Sequence, residues 1–320
     1  MTLCQGCYKY TENKQYCNSC LKKMFKGKTP ILNLEKSDFQ KVSYEMSDHF
    51  SISGVQDKIS LKLEKSELVP TIVNGEYILK PVPQQHIPKF QNDVPANEHL
   101  TMQIAKQIFK IPTAENALIY FTDGEPAYIT KRFDRRNGEK VRQEDFCQLA
   151  GISPETNGKN YKYDFSVQVA GNIIKEFCSA FLIELEKFFK LALFNYVFGN
   201  GDAHFKNFSL IETQDGDFVH TPAYDLLNTT LHYPEESRMA LDLFDDFETK
   251  FYKQNGFYGY EDFIKLAEFY KIKQKRAIKI IKEFPAKDEQ IIALINSSFL
   301  SGEAKDRYID IFLDRIKAIS

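Results

Sequence analysis

The first half of the chain contains short apolar segments at the two-residue spacing of strands. Within residues 50–82, ISLKLEK alternates apolar and polar positions, and EYILKP is a short apolar run that proline ends. The pair Asn74 and Gly75 is typical of a hairpin turn. NALIYF and PAYITKRF predict two further strands, joined by a turn at TDGE. Residues 50–134 are therefore predicted to be rich in strands.

Helical spacing dominates the rest of the chain. A linker helix is predicted over residues 31–47, and one helix interrupts the strand-rich segment at about residues 95–109. Apolar residues then recur at helical spacing over residues 164–198 and again over residues 259–318. The pattern predicts an α+β fold with two lobes, a small β-rich lobe followed by a larger helical one.

The composition fits one large domain or two ordinary ones. The chain has 320 residues, of which 43% are hydrophobic, and 42 basic residues nearly balance 44 acidic ones. This balance gives no global electrostatic case for binding nucleic acid. No segment approaches the roughly 18 uncharged apolar residues of a membrane helix, and the first 20 residues lack the apolar region of a signal peptide. We therefore expect a soluble cytoplasmic protein that does not bind membranes.

Four of the six cysteines form two C-x-x-C pairs near the N-terminus, Cys4 with Cys7 and Cys17 with Cys20. Four thiolates in a reducing compartment suit a structural zinc site better than disulfides. The gap between the pairs is shorter than in common zinc ribbons, so free thiols stay open as the alternative. We predict a zinc-knuckle-like segment over residues 1–30, whose role is structural.

The segment NGDAHFKNFSL follows a long apolar run and concentrates several reactive side chains. Asp202 and Asn207 are separated by the spacing of the catalytic Asp and the metal-binding Asn in kinase catalytic loops. A second carboxylate, Asp225 in PAYDLLN, follows the strand-like segment FVHTPAY, as the second magnesium ligand of kinases does. Lys80, on a predicted strand, can reach phosphates, and Glu98, on the following helix, can hold that lysine by an ion pair. Together with the order of strands and helices, this set predicts a phosphoryl-transfer site.

In six segments the chain resembles the HipA-like serine/threonine kinases, the toxins of bacterial toxin–antitoxin systems. These segments are SISGVQDKISLKL, YILKP, NEHLTMQIAKQI, ITKRFDR, NGDAHFKNFSL and PAYDLLNT. The resemblance runs from about Ser51 to the C-terminus. It implies a bilobal protein-kinase-like fold, with an N-lobe over residues 31–134 that contains the linker helix, phosphate loop and hinge. The helical C-lobe with the catalytic loop would then cover residues 135–320.

The resemblance also implies roles for individual residues, with ATP and Mg²⁺ as cofactors. Asp202 would be the catalytic base, and Asn207 and Asp225 would hold magnesium. The adenine-contacting hinge would lie near Lys131 to Phe133, and His204 would lie beside the phosphates. The ATP-binding residues so implied are Ser53, Gly54, Val55, Lys80, Lys131, Phe133, His204, Asn207 and Asp225.

The predicted phosphate loop has one glycine, Gly54, where ordinary protein kinases have three. Ser51 and Ser53 are similar to the S-I-S pair of the short HipT-type members, in which autophosphorylation of a loop serine shuts the kinase down. A phosphate there would repel the phosphates of ATP or create new hydrogen bonds. Binding of ATP phosphates through the backbone N–H groups of this loop is the alternative reading of the two serines.

Partners are implied by the resemblance alone. Longer HipA-like toxins carry an N-terminal subdomain before the phosphate loop, whereas this chain has a cysteine knuckle and a linker there. We therefore expect the split type, in which a small HipS-like protein replaces that subdomain. A helix-turn-helix HipB-like antitoxin is the other expected partner, with DNA contacted only through it. The expected substrate is a translation component such as an aminoacyl-tRNA synthetase.

Two other functions stay open. Small-molecule kinases of the aminoglycoside-phosphotransferase type also have a G-D-x-H-x-x-N catalytic loop, although SISGVQDK and KRFDR argue against them. An ATP-binding pseudokinase that serves as a corepressor in an antitoxin complex is the non-catalytic alternative. The presence of all the catalytic groups disfavours it.

Overall fold

The computed structural model describes residues 1–12, 14–47, 57–136 and 138–320. Its strands are β1 (Thr2–Leu3), β2 (Tyr10–Thr11), β3 (Ile59–Glu64), β4 (Glu67–Pro70), β5 (Tyr77–Pro81), β6 (Asn116–Tyr120), β7 (Pro126–Lys131), β8 (Arg135–Arg136), β9 (Glu139–Lys140), β10 (Gln143–Asp145), β11 (Ser209–Glu212) and β12 (Phe218–His220). Its helices are α1 (Asn18–Phe25), α2 (Lys36–Ser47), α3 (Val94–Gln107), α4 (Phe146–Leu149), α5 (Pro154–Asn157), α6 (Val167–Phe177), α7 (Phe181–Val197), α8 (Lys250–Asn255), α9 (Tyr260–Phe269), α10 (Gln274–Glu283), α11 (Asp288–Asn296) and α12 (Gly302–Ile319). Within these ranges, every helix is too short or too polar to cross a membrane.

The small lobe is a five-stranded antiparallel sheet in the order β4-β3-β5-β7-β6, with α3 packed on it. Side chains alternate across each strand, so Tyr77 and Leu79 of β5 face one side while Lys80 faces the other. Tyr77 and Leu79 are fully buried in the core that the sheet shares with the N-terminal segment. The predicted α+β architecture with a small β-rich lobe is confirmed.

The expected hairpin turn at Asn74 and Gly75 is wrong. The hairpin is the tight turn between β3 and β4, where Lys65 has a φ of 55° and Glu64 pairs with Glu67. β4 and β5 flank β3 on opposite sides, so the loop with Asn74 and Gly75 crosses over β3 and joins two strands that do not pair. Asn74 has a left-handed backbone, with a φ of 56°, but Gly75 does not, so the pair does not form the type I′ hairpin turn, which needs positive φ at both positions. A single left-handed asparagine fits a loop as well as a hairpin.

Tyr16 and α1 of the N-terminal segment pack on the face of the sheet opposite α3, while Tyr8 packs on His99 of α3 with ring centroids 4.9 Å apart. The Tyr16 hydroxyl donates a hydrogen bond to the Leu118 carbonyl at 2.6 Å, and the Tyr77 hydroxyl donates to the Met24 carbonyl at 2.6 Å. Phe25 stacks on Tyr77 with ring centroids 5.8 Å apart. The cysteine-bearing segment is therefore part of the small-lobe core.

The large lobe is built around α7, which is buried along most of its length and packs on α6, α9 and α12. The apolar residues predicted at helical spacing within residues 164–198 form α6 and α7. Gly199 ends α7 with a φ of 63°, and a Cβ there would lie 2.7 Å from the Asn228 Oδ1. Glycine therefore permits the chain to leave this buried helix and turn directly into NGDAHFKNFSL.

A cluster of three charged side chains fixes the connection between the lobes. Arg132 donates two hydrogen bonds to the Asp134 carboxylate, at 2.9 and 2.6 Å, and Arg135 donates a third at 2.9 Å. Burial would raise the pKa of Asp134, but the two guanidinium groups outweigh it and hold the pKa below its usual range. The paired carboxylate stays ionised and holds the backbone after β7 in one conformation.

Candidate active site

A cavity of about 630 Å³ lies between the sheet and the helical lobe. The small lobe contributes Lys80 from β5 and Glu98 from α3. The large lobe contributes Asp202 and Asn207 from the loop after α7, and Asp225 from the loop after β12. The structure thus brings together in one cleft five polar residues that are far apart in the sequence.

Lys80 lies at the centre of the cleft between two carboxylates. Its Nζ is 2.8 Å from Glu98 Oε1, which is the contact expected from the order of the motifs, and it also forms an ion pair with Asp225 Oδ1. Burial would lower the pKa of Lys80, but the charges of Asp225 and Glu98 outweigh it and hold the pKa above its usual range. Lys80 is therefore a fixed positive charge pointing into the cleft.

Asp225 and Asn207 are direct neighbours on the large-lobe side. Asn207 Nδ2 donates a hydrogen bond to Asp225 Oδ2 at 3.2 Å. Burial would raise the pKa of Asp225, but Lys80 outweighs it and keeps the carboxylate ionised. Asp225 has a φ of 53°, a left-handed conformation that costs energy for a residue with a Cβ and that clusters at functional sites. The Asn207 Oδ1 accepts the His204 N–H at 3.2 Å, so the amide would turn to present this oxygen, together with the Asp225 carboxylate, to a hard cation such as Mg²⁺.

Asp202 is held by the loop around it. Its backbone N–H donates to Asn200 Oδ1 at 3.3 Å, and the N–H of Gly201 donates to Thr229 Oγ1 at 2.6 Å. The Tyr163 hydroxyl donates a hydrogen bond to Asp202 Oδ1. The carboxylate therefore faces the cleft in a defined position, which is what a general base requires.

Glu236 packs against the loop that carries Asp202. Its Oε1 accepts hydrogen bonds from Thr229 at 2.5 Å and from Thr230 at 2.8 Å. Burial raises the pKa of Glu236 to about 7, and the charge of Asp202 adds to this effect. A Cβ on Gly201 would lie 2.7 Å from the Glu236 carboxyl carbon. The close approach of these two residues accounts for a glycine directly before Asp202.

Two buried asparagines join the lobes beside the cleft. Asn97 of α3 donates through Nδ2 to the Asn228 carbonyl at 2.8 Å, and the Asn228 N–H donates back to Asn97 Oδ1 at 3.1 Å. This reciprocal pair ties the helix that carries Glu98 to the segment that carries Asp225. Sequence reasoning assigned no role to either asparagine, although both lie in segments that carry the family resemblance, NEHL and PAYDLLNT.

The remaining predicted site residues are placed as follows. His204 lines the cleft, and burial lowers its pKa to about 4, so its imidazole is neutral near pH 7. Phe133 also lines the cleft and packs on Tyr224 with centroids 5.7 Å apart. Lys131 lies at the rim of the cleft, with its Nζ 3.1 Å from the Lys23 carbonyl. The predicted loop residues Ser51, Ser53, Gly54 and Val55 lie outside the described residues.

The four N-terminal cysteines form a compact cluster. The sulfurs of Cys4, Cys7, Cys17 and Cys20 all lie within 4.8 Å of one another. The backbone N–H groups of Gly6 and Cys17 point at Cys4 Sγ, at 3.4 and 3.1 Å. Such N–H donors stabilise thiolates, which are the form of cysteine that binds metal.

Replacement of Lys80 tests whether the cleft is an active site. We expect Lys80→Met to lower the turnover of ATP by about 10²-fold or more, because it removes a preorganised positive charge from the site. The measurement is ADP formation at saturating ATP. Lys62→Met is the matched control, since Lys62 lies on the neighbouring strand β3 and is 40% exposed in a surface ion pair with Glu64. Equal turnover in the two variants would contradict this assignment.

A family model and several relatives of this chain indicate the same family. A family model of the HipA-like C-terminal domain matches residues 50–291. A Haemophilus influenzae protein named "Putative kinase" is 26% identical over 99% of this chain and 92% of its own length. A Sinorhizobium fredii protein of the same description is 31% identical over 60% of this chain, and the serine/threonine-protein kinase toxin HipA of Shewanella oneidensis is 29% identical over 66%. The matches span 45% and 49% of those two relatives.

Solved structures share the fold. Shewanella oneidensis HipA, from a complex with HipB and its operator DNA, superposes with a TM-score of 0.66 at 22% identity, over 84% of this chain and 65% of that one. The Helicobacter pylori proinflammatory kinase CtkA superposes with a TM-score of 0.56 at 15% identity, over 91% of this chain and 93% of that one. The bilobal kinase-like fold expected from the sequence is therefore confirmed.

Proposed function

Because the chain belongs to the HipA-like C-terminal domain family, we propose that it is an ATP- and magnesium-dependent serine/threonine protein kinase. The observation that carries the proposal is the position of Lys80, whose ammonium group lies between Glu98 and Asp225 in the interlobe cleft. A buried cation held by two carboxylates, one of which lies beside Asn207, meets the needs of phosphoryl transfer.

The residues of the cleft divide the work of the reaction. Lys80, fixed by Glu98, would neutralise charge on the phosphates of ATP. Asn207 and Asp225 would hold magnesium, whose positive charge would offset the charge that develops during transfer. The hinge from Lys131 to Phe133 would contact adenine mainly through its backbone. His204, neutral near pH 7 and at the edge of the site, would add no charge beside the phosphates.

Asp202 would act on the acceptor. Its carboxylate would orient a serine or threonine hydroxyl and take the proton of that hydroxyl. The hydroxyl oxygen would form a bond to the γ-phosphorus as the bond from that phosphorus to the β–γ bridging oxygen breaks. ADP and a phosphorylated protein are the products.

Regulation and partners follow the family resemblance. We propose a toxin of the short HipT type, self-regulated by autophosphorylation of Ser51 or Ser53 in the phosphate loop. A HipB-like antitoxin, a HipS-like small protein and a translation component such as an aminoacyl-tRNA synthetase are the proposed partners and substrate. The Shewanella relative of this chain was solved with HipB and its operator DNA, which supports the antitoxin as a partner.

The four-cysteine cluster would hold a structural Zn²⁺. Sulfurs within 4.8 Å of one another, two of them approached by backbone N–H groups, match a closed tetrahedral thiolate site. The metal would stabilise the segment that covers the outer face of the small-lobe sheet.

Calorimetric titration with ATP tests the nucleotide site. We expect the wild-type protein to bind ATP more tightly with magnesium present, and Asp225→Asn to lose this magnesium dependence because the ionised ligand is gone. Asp215→Asn, an exposed residue in the turn between β11 and β12, is the control. The same magnesium dependence in wild type and Asp225→Asn would argue against the metal role of Asp225.

A further inference from the structure

A loop of the large lobe reaches the candidate base Asp202. It covers residues 158–165, between α5 and α6, and is named here the tyrosine loop. Its Tyr163 hydroxyl donates a hydrogen bond to Asp202 Oδ1. The Tyr163 ring packs edge-on against the His204 ring, with centroids 5.2 Å apart and planes at 77°. The phenol thus touches two residues of the same catalytic segment.

The tyrosine loop is anchored to that segment at two further points. The N–H of Phe205 donates to the Lys162 carbonyl at 3.1 Å. Phe165 stacks on Phe205 with centroids 5.2 Å apart and planes at 21°. These contacts lie on either side of Tyr163 in the chain and hold the tyrosine loop against the catalytic segment.

The base of a kinase accepts a hydrogen bond from the hydroxyl of the acceptor before it takes the proton. In this protein that hydrogen bond comes from the protein's own phenol. Burial raises the pKa of Tyr163 above its usual range, and the charge of Asp202 acts in the same direction. The phenol therefore stays protonated at neutral pH, where it can donate to Asp202 but is a poor nucleophile.

We propose that Tyr163 occupies the acceptor position at Asp202, so that water and small hydroxyl compounds are excluded until a protein acceptor displaces the tyrosine loop. This inference rests on the proposed kinase function and adds a determinant of acceptor choice to it. A folded protein can offset the loss of the Tyr163 contact with an interface of its own, whereas water cannot. The class of substrate is therefore a protein that binds against the tyrosine loop.

The proposal concerns a specific side reaction, the hydrolysis of ATP without an acceptor. In that reaction a water oxygen bonds to the γ-phosphorus, the bond to the β–γ bridging oxygen breaks, and Asp202 takes the proton of the water. ADP and inorganic phosphate are released. Tyr163 would suppress this reaction because its hydroxyl takes the place of the water at Asp202.

Tyr163→Phe removes the hydroxyl and keeps the ring packed on His204. We expect acceptor-free ATP hydrolysis to rise about tenfold, the rate equivalent of about 1.4 kcal/mol, with an unchanged KM for ATP. Phosphate release with purified full-length protein, magnesium and ATP is the measurement. Tyr10→Phe, on a 73% exposed residue of the N-terminal segment, is the control for the substitution itself.

Whether ATP hydrolysis rises or falls in Tyr163→Phe distinguishes exclusion of water by Tyr163 from a purely structural role. If Tyr163 only props Asp202 in place, Tyr163→Phe will lower hydrolysis or leave it unchanged, and the proposal is then wrong. Phosphate found on Tyr163 by intact-mass and peptide analysis would also overturn it, because the phenol would then be a substrate. The double variant Asp202→Asn with Tyr163→Phe must lose the increase, since the increase is assigned to Asp202.

The same assays distinguish the failure of this inference from failure of the proposed function. Wild-type protein that binds ATP with magnesium and turns it over through Asp202, together with a Tyr163→Phe variant of wild-type rate, would reject the inference alone. Wild-type and Tyr163→Phe proteins that neither bind nor hydrolyse ATP would reject the kinase assignment, and this inference with it.

Discussion

Asp202→Asn is expected to lower phosphoryl transfer by about 10²- to 10⁴-fold, the usual contribution of a positioned general base. The amide is nearly isosteric with the carboxylate and can still accept the hydrogen bond from Tyr163. It cannot take a proton from an acceptor hydroxyl. ATP affinity should persist, because Lys80, Asn207 and Asp225 are unchanged.

The measurement for Asp202→Asn is transfer of labelled γ-phosphate, with ATP affinity and thermal midpoint recorded on the same preparation. Retained affinity and midpoint would show that the loss lies in the chemical step. Asp215→Asn on the exposed β11–β12 turn serves again as the control. Transfer at the wild-type rate in Asp202→Asn would remove Asp202 from its proposed role.

Loss of zinc is expected to destabilise the small lobe by several kcal/mol. Structural zinc contributes roughly 10–16 kcal/mol of binding free energy in zinc-finger peptides, and much of it is folding free energy. Here the cysteine cluster precedes Phe25, which stacks on Tyr77 of the sheet, and Cys4 itself is fully buried. Release of the segment would expose this part of the core.

Elemental analysis and thermal unfolding test the zinc prediction. We expect one zinc per chain and a marked fall in the midpoint after chelation or in Cys4→Ser. The thermal midpoint should fall by about 2–4 °C for each kcal/mol of stability lost, the scale for a domain of roughly 150–250 residues. Cys178→Ala is the control, because Cys178 is buried but lies outside the cluster. A protein without zinc and with a midpoint insensitive to chelators would contradict the prediction.

Local patterns predicted most of the elements of the fold. The strand at EYILKP and the helix near residues 95–109 appear as β5 and α3, because alternation and helical spacing record which face of each element is buried. The turn at Asn74 and Gly75 was wrong for a related reason. An Asn-Gly pair favours a tight turn locally, but strand pairing depends on the whole sheet.

In the candidate site, too, some residues could be predicted from the sequence and others could not. Lys80, Glu98 and Asp225 could be chosen from motif order, and the structure places them in contact. Tyr163 could not, because a hydrogen bond to Asp202 across 39 positions leaves no periodic signal. The Asn97–Asn228 pair spans 131 positions and was equally hidden. Such contacts depend on how distant segments of the chain pack together, which local spacing does not encode.

A protein kinase with this cleft would transfer the γ-phosphate of ATP to a protein. The most direct measurement incubates the purified protein with γ-phosphate-labelled ATP, magnesium and a bacterial lysate, beside Asp202→Asn, and then separates proteins from small molecules. We expect label on the protein fraction with the wild type and almost none with Asp202→Asn. Label that appears only on small molecules, or equally with both enzymes, would contradict it.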